Sequence, residues 1–97
     1  MYTLANNQFK TKSAVKEFYS NILHSYNYGD ELIPEDQITV GALFQHHAGL
    51  DIKLGGSEVD YFTVMSHMYG NKCFKVHKKD GTNIDFSYIN CINNLKK

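Results

Sequence analysis

The chain predicts an α+β domain with two N-terminal helices, a three-stranded antiparallel sheet and a short C-terminal helix. Three observations carry that class. Apolar residues recur at helical spacing as far as about residue 48, and beyond Gly55-Gly56 the period changes to two. The 97 residues suffice for one core but not for a second, so 1–97 reads as a single domain. Its 42% apolar and 13% aromatic content is enough to offset the entropy of ordering, so disorder is not expected.

Thr11 suits an N-cap, and Val15, Phe18, Tyr19, Ile22 and Tyr26 follow at i, i+3, i+4, i+7 and i+11, which predicts an amphipathic helix over 12–26. Gly29 can stop it in the left-handed conformation. Pro34-Glu35-Asp36 then places a first-turn proline and two acids where a helix N-terminus favours them. The apolar face of this second helix is Val40, Leu43, Phe44 and His47, and Ala48-Gly49 closes it. Gly41 weakens its interior by about 1 kcal/mol relative to alanine, so it depends on packing.

Three strands follow, at 61–65, 73–77 and 83–87, with Phe62, Val64, Phe74, Val76, Ile84 and Phe86 turned one way. Directly opposed residues share a face, so parity decides the last hairpin. A two-residue Asp80-Gly81 turn would oppose Val76 to Asp85. A three-residue loop Lys79-Asp80-Gly81 instead opposes Val76 to Ile84, Phe74 to Phe86 and Lys75 to Asp85, with Gly81 at the left-handed position. The preceding hairpin is expected to close through a longer loop over 67–71 that carries Gly70. Ser87 can cap a final helix bearing Tyr88, Cys91, Ile92 and Leu95. Residues 1–8 and 94–97 are expected to fray.

Ten acidic residues balance ten basic ones, and all the basic ones are lysine. The stretch 30–60 holds Asp30, Glu31, Glu35, Asp36, Asp51, Glu58 and Asp60 against Lys53 alone, so an acidic middle lies between two basic ends. Without arginine, bidentate readout of guanine or phosphate by a guanidinium is closed to this chain, and nucleic-acid contacts would rest on the backbone and on stacking. Cys73 and Cys91 do not make a disulfide scaffold or a zinc knuckle and read as reduced apolar residues. No apolar run approaches the roughly 20 residues of a membrane span, and the N-terminus lacks a signal-peptide layout, so a cytoplasmic location is expected, away from membrane.

From Phe9 to Cys91 the chain resembles the DCL ("defective chloroplasts and leaves") family. The carrying residues are Phe9 with the Thr11 cap, Phe18-Tyr19 with Ile22-Leu23 and Tyr26, then His46-His47, Lys53 and Gly55. They continue through Tyr61-Phe62-Thr63-Val64 to the most specific stretch, CFKVHKKDGTNIDFSYINC, about a fifth of the chain. The family pattern usually has a proline after a single histidine and an arginine before the Asp-Gly turn. Here Ala48 follows two histidines and Lys79 precedes Asp80, which leaves open which histidine matches and removes a planar phosphate fork. The resemblance implies a non-catalytic domain tied to nucleic-acid metabolism, as in plastid ribosomal RNA maturation, and a related domain ends the largest subunit of plant-specific RNA polymerases. It carries no agreed catalytic residue.

The outward sheet face should then collect Tyr61, Thr63, Met65, Lys75, His77, Asn83 and Asp85. An aromatic among lysines can hold single-stranded RNA, with bases stacking at about 1–3 kcal/mol each. The expected contacts are Tyr61, Lys72, Lys75, His77, Lys78 and Lys79, set against the alternative of an ordinary solvated face. A second reading is a protein-interaction module or small inhibitor that docks Asp30, Glu31, Glu35 and Asp36 on a basic groove of a nucleic-acid enzyme. Metal binding is not expected, because adjacent histidines such as His46-His47 point about 100° apart on a helix. No catalytic residue and no cofactor are expected. His46, Asp80 and Asp85 come with no nucleophile elbow or phosphate loop, and Gly55-Gly56 precedes a strand, unlike a dinucleotide fingerprint.

Overall fold

The structure, a computed structural model, describes residues 1–66 and 71–95. It is α+β: β1 (Tyr2–Leu4), β2 (Asn7–Phe9), α1 (Lys12–His24), α2 (Pro34–Phe44), α3 (Leu50–Leu54), β3 (Val59–Ser66), β4 (Lys72–Lys78), β5 (Asn83–Phe86) and α4 (Tyr88–Asn93). Thr11 caps α1 as its sequence suggests, its hydroxyl accepting from the Ala14 N–H at 3.1 Å. The stripe Val15, Tyr19 and Leu23 is buried, and the Tyr19 hydroxyl donates to the Thr39 carbonyl at 2.8 Å, which satisfies the one polar atom that side chain takes inside. The same burial pushes that phenol well above its ordinary pKa.

The sheet order is β3-β4-β5, all antiparallel. The last hairpin has the register that parity requires: Val76 faces Ile84, Phe74 faces Phe86 and Lys75 faces Asp85. The Lys78 N–H bonds the Thr82 carbonyl at 2.8 Å, and Gly81 sits at φ 90°. On the inner face Phe44, Phe62, Phe74 and Phe86 interlock, with Phe44 and Phe86 centroids 4.6 Å apart, and α1, α2 and α4 pack around them. Burying each such ring contributes about 1.5–3 kcal/mol, and this cluster holds the two layers together.

Four details differ from the sequence reading. Residues 1–8 are not a frayed end: β1 and β2 form a hairpin that buries Tyr2 and Leu4 against α2 and the core. Its turn, Ala5-Asn6, has φ of 50° and 69°, a conformation that alanine seldom signals. α1 and α2 are shorter than their stripes, ending at His24 and Phe44, and the separate turn α3 follows, closed by Gly55 at φ 57°. The C-terminal tail does not fray at its start: the Asn94 amide donates to the His46 carbonyl at 3.0 Å and Leu95 is buried. Gly29–Leu32 runs beside β3, with Gly29 N–H to Val64 carbonyl at 2.7 Å and Leu32 N–H to Phe62 carbonyl at 3.2 Å, so a fourth short edge extends the sheet. The loop expected over 67–71 lies outside the described residues except for Asn71. No helix among the described residues is long and apolar enough to cross a membrane.

Candidate nucleic-acid interface

Register turns the outer sheet face into rows. Glu31 faces Thr63, Thr63 faces Lys75 and Lys75 faces Asp85, so one polar row runs from the edge segment across all three strands. The neighbouring row is Tyr61, His77 and Asn83. Within it the Tyr61 and His77 rings stack 4.3 Å apart and only 4° from parallel, and His77 Nε2 lies 2.9 Å from the Thr63 hydroxyl. Together with Gly29 and Met65 these side chains line an open depression of about 320 Å³. Burial lowers the His77 pKa, and the Lys75 ammonium lowers it further, against smaller opposing pulls from Glu31 and Asp60.

Only half of the six expected contacts reach this face. Tyr61, Lys75 and His77 are brought together. Lys72 is turned toward the segment that follows α1, its ammonium donating to the Tyr26 carbonyl and lying 5.6 Å from the Tyr28 ring centroid. Lys78 reaches the end of α3, donating to the Lys53 carbonyl at 3.0 Å and the Leu54 carbonyl at 3.4 Å. Lys79 is exposed at the hairpin tip and pairs with Glu58 at 3.4 Å. Sequence spacing cannot distinguish a lysine that faces water from one long enough to reach a backbone carbonyl.

The acidic candidates divide in the same way. Asp30 accepts from the Asn27 N–H at 2.8 Å and so closes the turn after α1. Asp36 accepts from the Tyr26 hydroxyl, which itself accepts from the Ile33 N–H at 3.1 Å. Glu31 and Glu35 are exposed, and Glu31 belongs to the outer-face depression. Sequence reasoning grouped Glu31 with the other acids of the docking set and not with Tyr61, because the edge segment carries no strand signal of its own.

The remaining chemistry candidates have structural partners. His47 follows α2, its Nδ1 accepts from the Gly49 N–H at 2.9 Å, and its ring faces Phe44 and Phe86. Burial and then Lys53 lower its pKa. His46 is exposed. Asp80 accepts from both the N–H and the hydroxyl of Thr82, which holds its carboxyl below the usual range. Burial raises the Cys73 thiol and pushes the Cys91 thiol up to about 12. Among the described residues no three His, Cys, Asp or Glu side chains group as a metal site.

Fold and face together define a small α+β domain with helices on one side of an antiparallel sheet and an aromatic, polar outer side. The chain belongs to the family described as protein of unknown function DUF3223, whose model matches residues 20–92, and to the DCL proteins within that likeness. It is 41% identical over 83 residues to "Protein DCL, chloroplastic" of Solanum lycopersicum, covering 80% of this chain and 37% of that protein. It is 36% identical over 85 residues to "Protein DCL homolog, chloroplastic" of Arabidopsis thaliana, covering 82% and 38%. The chain thus spans well under half the length of these relatives. A solution NMR structure of an uncharacterized protein from Rhodospirillum rubrum superposes with a TM-score of 0.83 at 29% identity, covering 92% of this chain and 85% of that one.

Proposed function

We propose that the chain is a non-catalytic binding module of nucleic-acid metabolism that holds single-stranded RNA on the outer face of its sheet. The observation that carries this reading is the parallel Tyr61–His77 pair beside Lys75. Two stacked rings offer a base a flat apolar surface, and an adjacent ammonium neutralises phosphate, the combination by which sheet faces hold unpaired strands. The tie to nucleic-acid metabolism that the resemblance to the DCL family implies points to the same substrate class. The acidic surface is the weaker candidate, since Asp30 and Asp36 are engaged within the fold.

Fluorescence anisotropy with a labelled uridine-rich 10-mer at low salt tests the reading. Wild-type protein should bind with micromolar affinity, Tyr61→Ala should weaken binding about tenfold, and Glu35→Lys should not weaken it. Absence of binding at low salt, or full binding by Tyr61→Ala, would sink the proposal.

A further inference from the structure

We infer that the outer-face depression is a guanine-selective subsite in which the Glu31 carboxylate reads the Watson–Crick edge of a base stacked on Tyr61. The inference rests on the RNA reading above and goes further, to the identity of the base.

The register places Glu31 on the same face as Thr63, on the edge segment next to β3, and the residue lines the depression together with Tyr61 and His77. The Tyr61 and His77 rings cover one another, so a base that extends the stack over Tyr61 lies on the edge-strand side of the pair. That is the side on which Glu31 stands. The base would therefore present its edge to a carboxylate, not to an amide or a lysine.

An ionised carboxylate only accepts hydrogen bonds, and it accepts two most favourably from donors that lie side by side. Guanine alone among the four RNA bases offers two adjacent donors on one edge, the ring N–H and the exocyclic amino group. Cytosine and adenine set an amino group beside a ring-nitrogen acceptor, and uracil flanks its single N–H with two carbonyls. Each of these brings a lone pair against the carboxylate. Glu31 is exposed, and the sheet hydrogen bonds on either side of it are made by the backbone of Gly29, Asp30 and Leu32, so its side chain is not used to hold the edge. The chain has no arginine for guanine's other edge, and a carboxylate readout does not require one.

The test uses labelled uridine 7-mers whose central residue is guanosine, inosine, cytidine or uridine, bound to the wild-type 97-residue chain and to Glu31→Gln. Inosine lacks the exocyclic amino group and so removes one of the two donors while keeping the stacking surface. Guanosine should bind about 5- to 10-fold tighter than inosine and tighter still than uridine. Glu31→Gln should reduce the guanosine-to-inosine ratio to about one and leave the all-uridine probe bound at least as tightly as by wild type. Because Glu31 is exposed and the backbone bonds of the edge are made by Gly29, Asp30 and Leu32, the glutamine variant should fold, and its thermal transition checks that. Equal affinity for guanosine and inosine in wild type, or a ratio that survives in Glu31→Gln, overturns the guanine assignment while the RNA reading stands. Failure of every probe to bind wild type overturns both.

Discussion

Two sets of lysines on and around the same sheet do opposite things. Lys53, Lys72 and Lys78 turn inward, each ending on a backbone carbonyl, whereas Lys75 and Lys79 stand on the outer face and the hairpin tip. Lys53 Nζ donates to the Asp85 carbonyl at 2.8 Å on the outer edge of β5, and Lys78 Nζ donates back to the carbonyls of Lys53 and Leu54. The two ammonium groups thus fasten α3, a single helical turn without a buried residue of its own, to the sheet. A lysine carries four methylenes and three donors, so it can close an edge that no strand pairs and still keep partial hydration. Charge alone therefore does not mark an interface: position decides whether an ammonium is a fastener or a contact.

The largest expected effect breaks the inward set. Lys53→Met keeps the stem and removes the donor, which should lower the unfolding free energy by about 1.5 kcal/mol in urea denaturation. Lys78→Met should cost about 1 kcal/mol, and the double variant less than the sum, since both bonds hold the same short helix. Neither should change RNA affinity by more than about twofold. The outward set should respond in reverse. Lys75→Glu should weaken the labelled RNA about tenfold at low salt and lower the thermal transition only slightly, since it sets a like charge opposite Asp85, and Lys75→Gln should flatten the slope of log affinity against log salt by about 0.7. If Lys75→Gln instead left that slope unchanged while Lys78→Met flattened it, the division between the two sets would be wrong.

Where side-chain chemistry and strand period agree, the fold was legible in the sequence. The Lys79-Asp80-Gly81 loop announces itself by a glycine that takes φ 90°, and parity then leaves one register, which is the one observed. The N-terminal hairpin offers the contrary case. Its turn places Ala5 and Asn6 in the left-handed region, its strands are three residues each, and no alternation that short separates a strand from an end. The Gly29–Leu32 edge was hidden for a related reason. It is held by backbone bonds to β3 and by the Gln37 amide, which donates to the carbonyls of Leu32 and Phe62 at 3.1 and 3.0 Å and accepts from the Phe62 N–H. A glutamine on a helix gives no sign in one dimension that it will complete a sheet. Of the outer face, parity read Tyr61, Lys75 and His77 correctly. Glu31 was missed as their neighbour because the edge that carries it was missed.

The smallest effect sharpens the comparison most directly, because each set of lysines has a histidine beside it. Burial and then Lys53 lower the His47 pKa, and burial and then Lys75 lower that of His77. In both cases the unfolded imidazole takes its proton first, near the ordinary 6.5. Their contribution to stability is therefore complete above that pH and is lost as pH falls through the lower folded value. For His47 the physical reason is visible, since protonating Nδ1 removes the acceptor for the Gly49 N–H. An NMR titration of both imidazoles in Lys53→Met and Lys75→Gln should show a crossed pattern. Lys53→Met should raise the His47 midpoint and leave His77 in place, whereas Lys75→Gln should raise the His77 midpoint and leave His47 in place. Glu31→Gln should lower the His77 midpoint further, because it removes a charge that favours the imidazolium. A common shift of both histidines in either lysine variant would mean that the two ammonium groups act through one shared field, and the separation of inward from outward lysines would then have no electrostatic content.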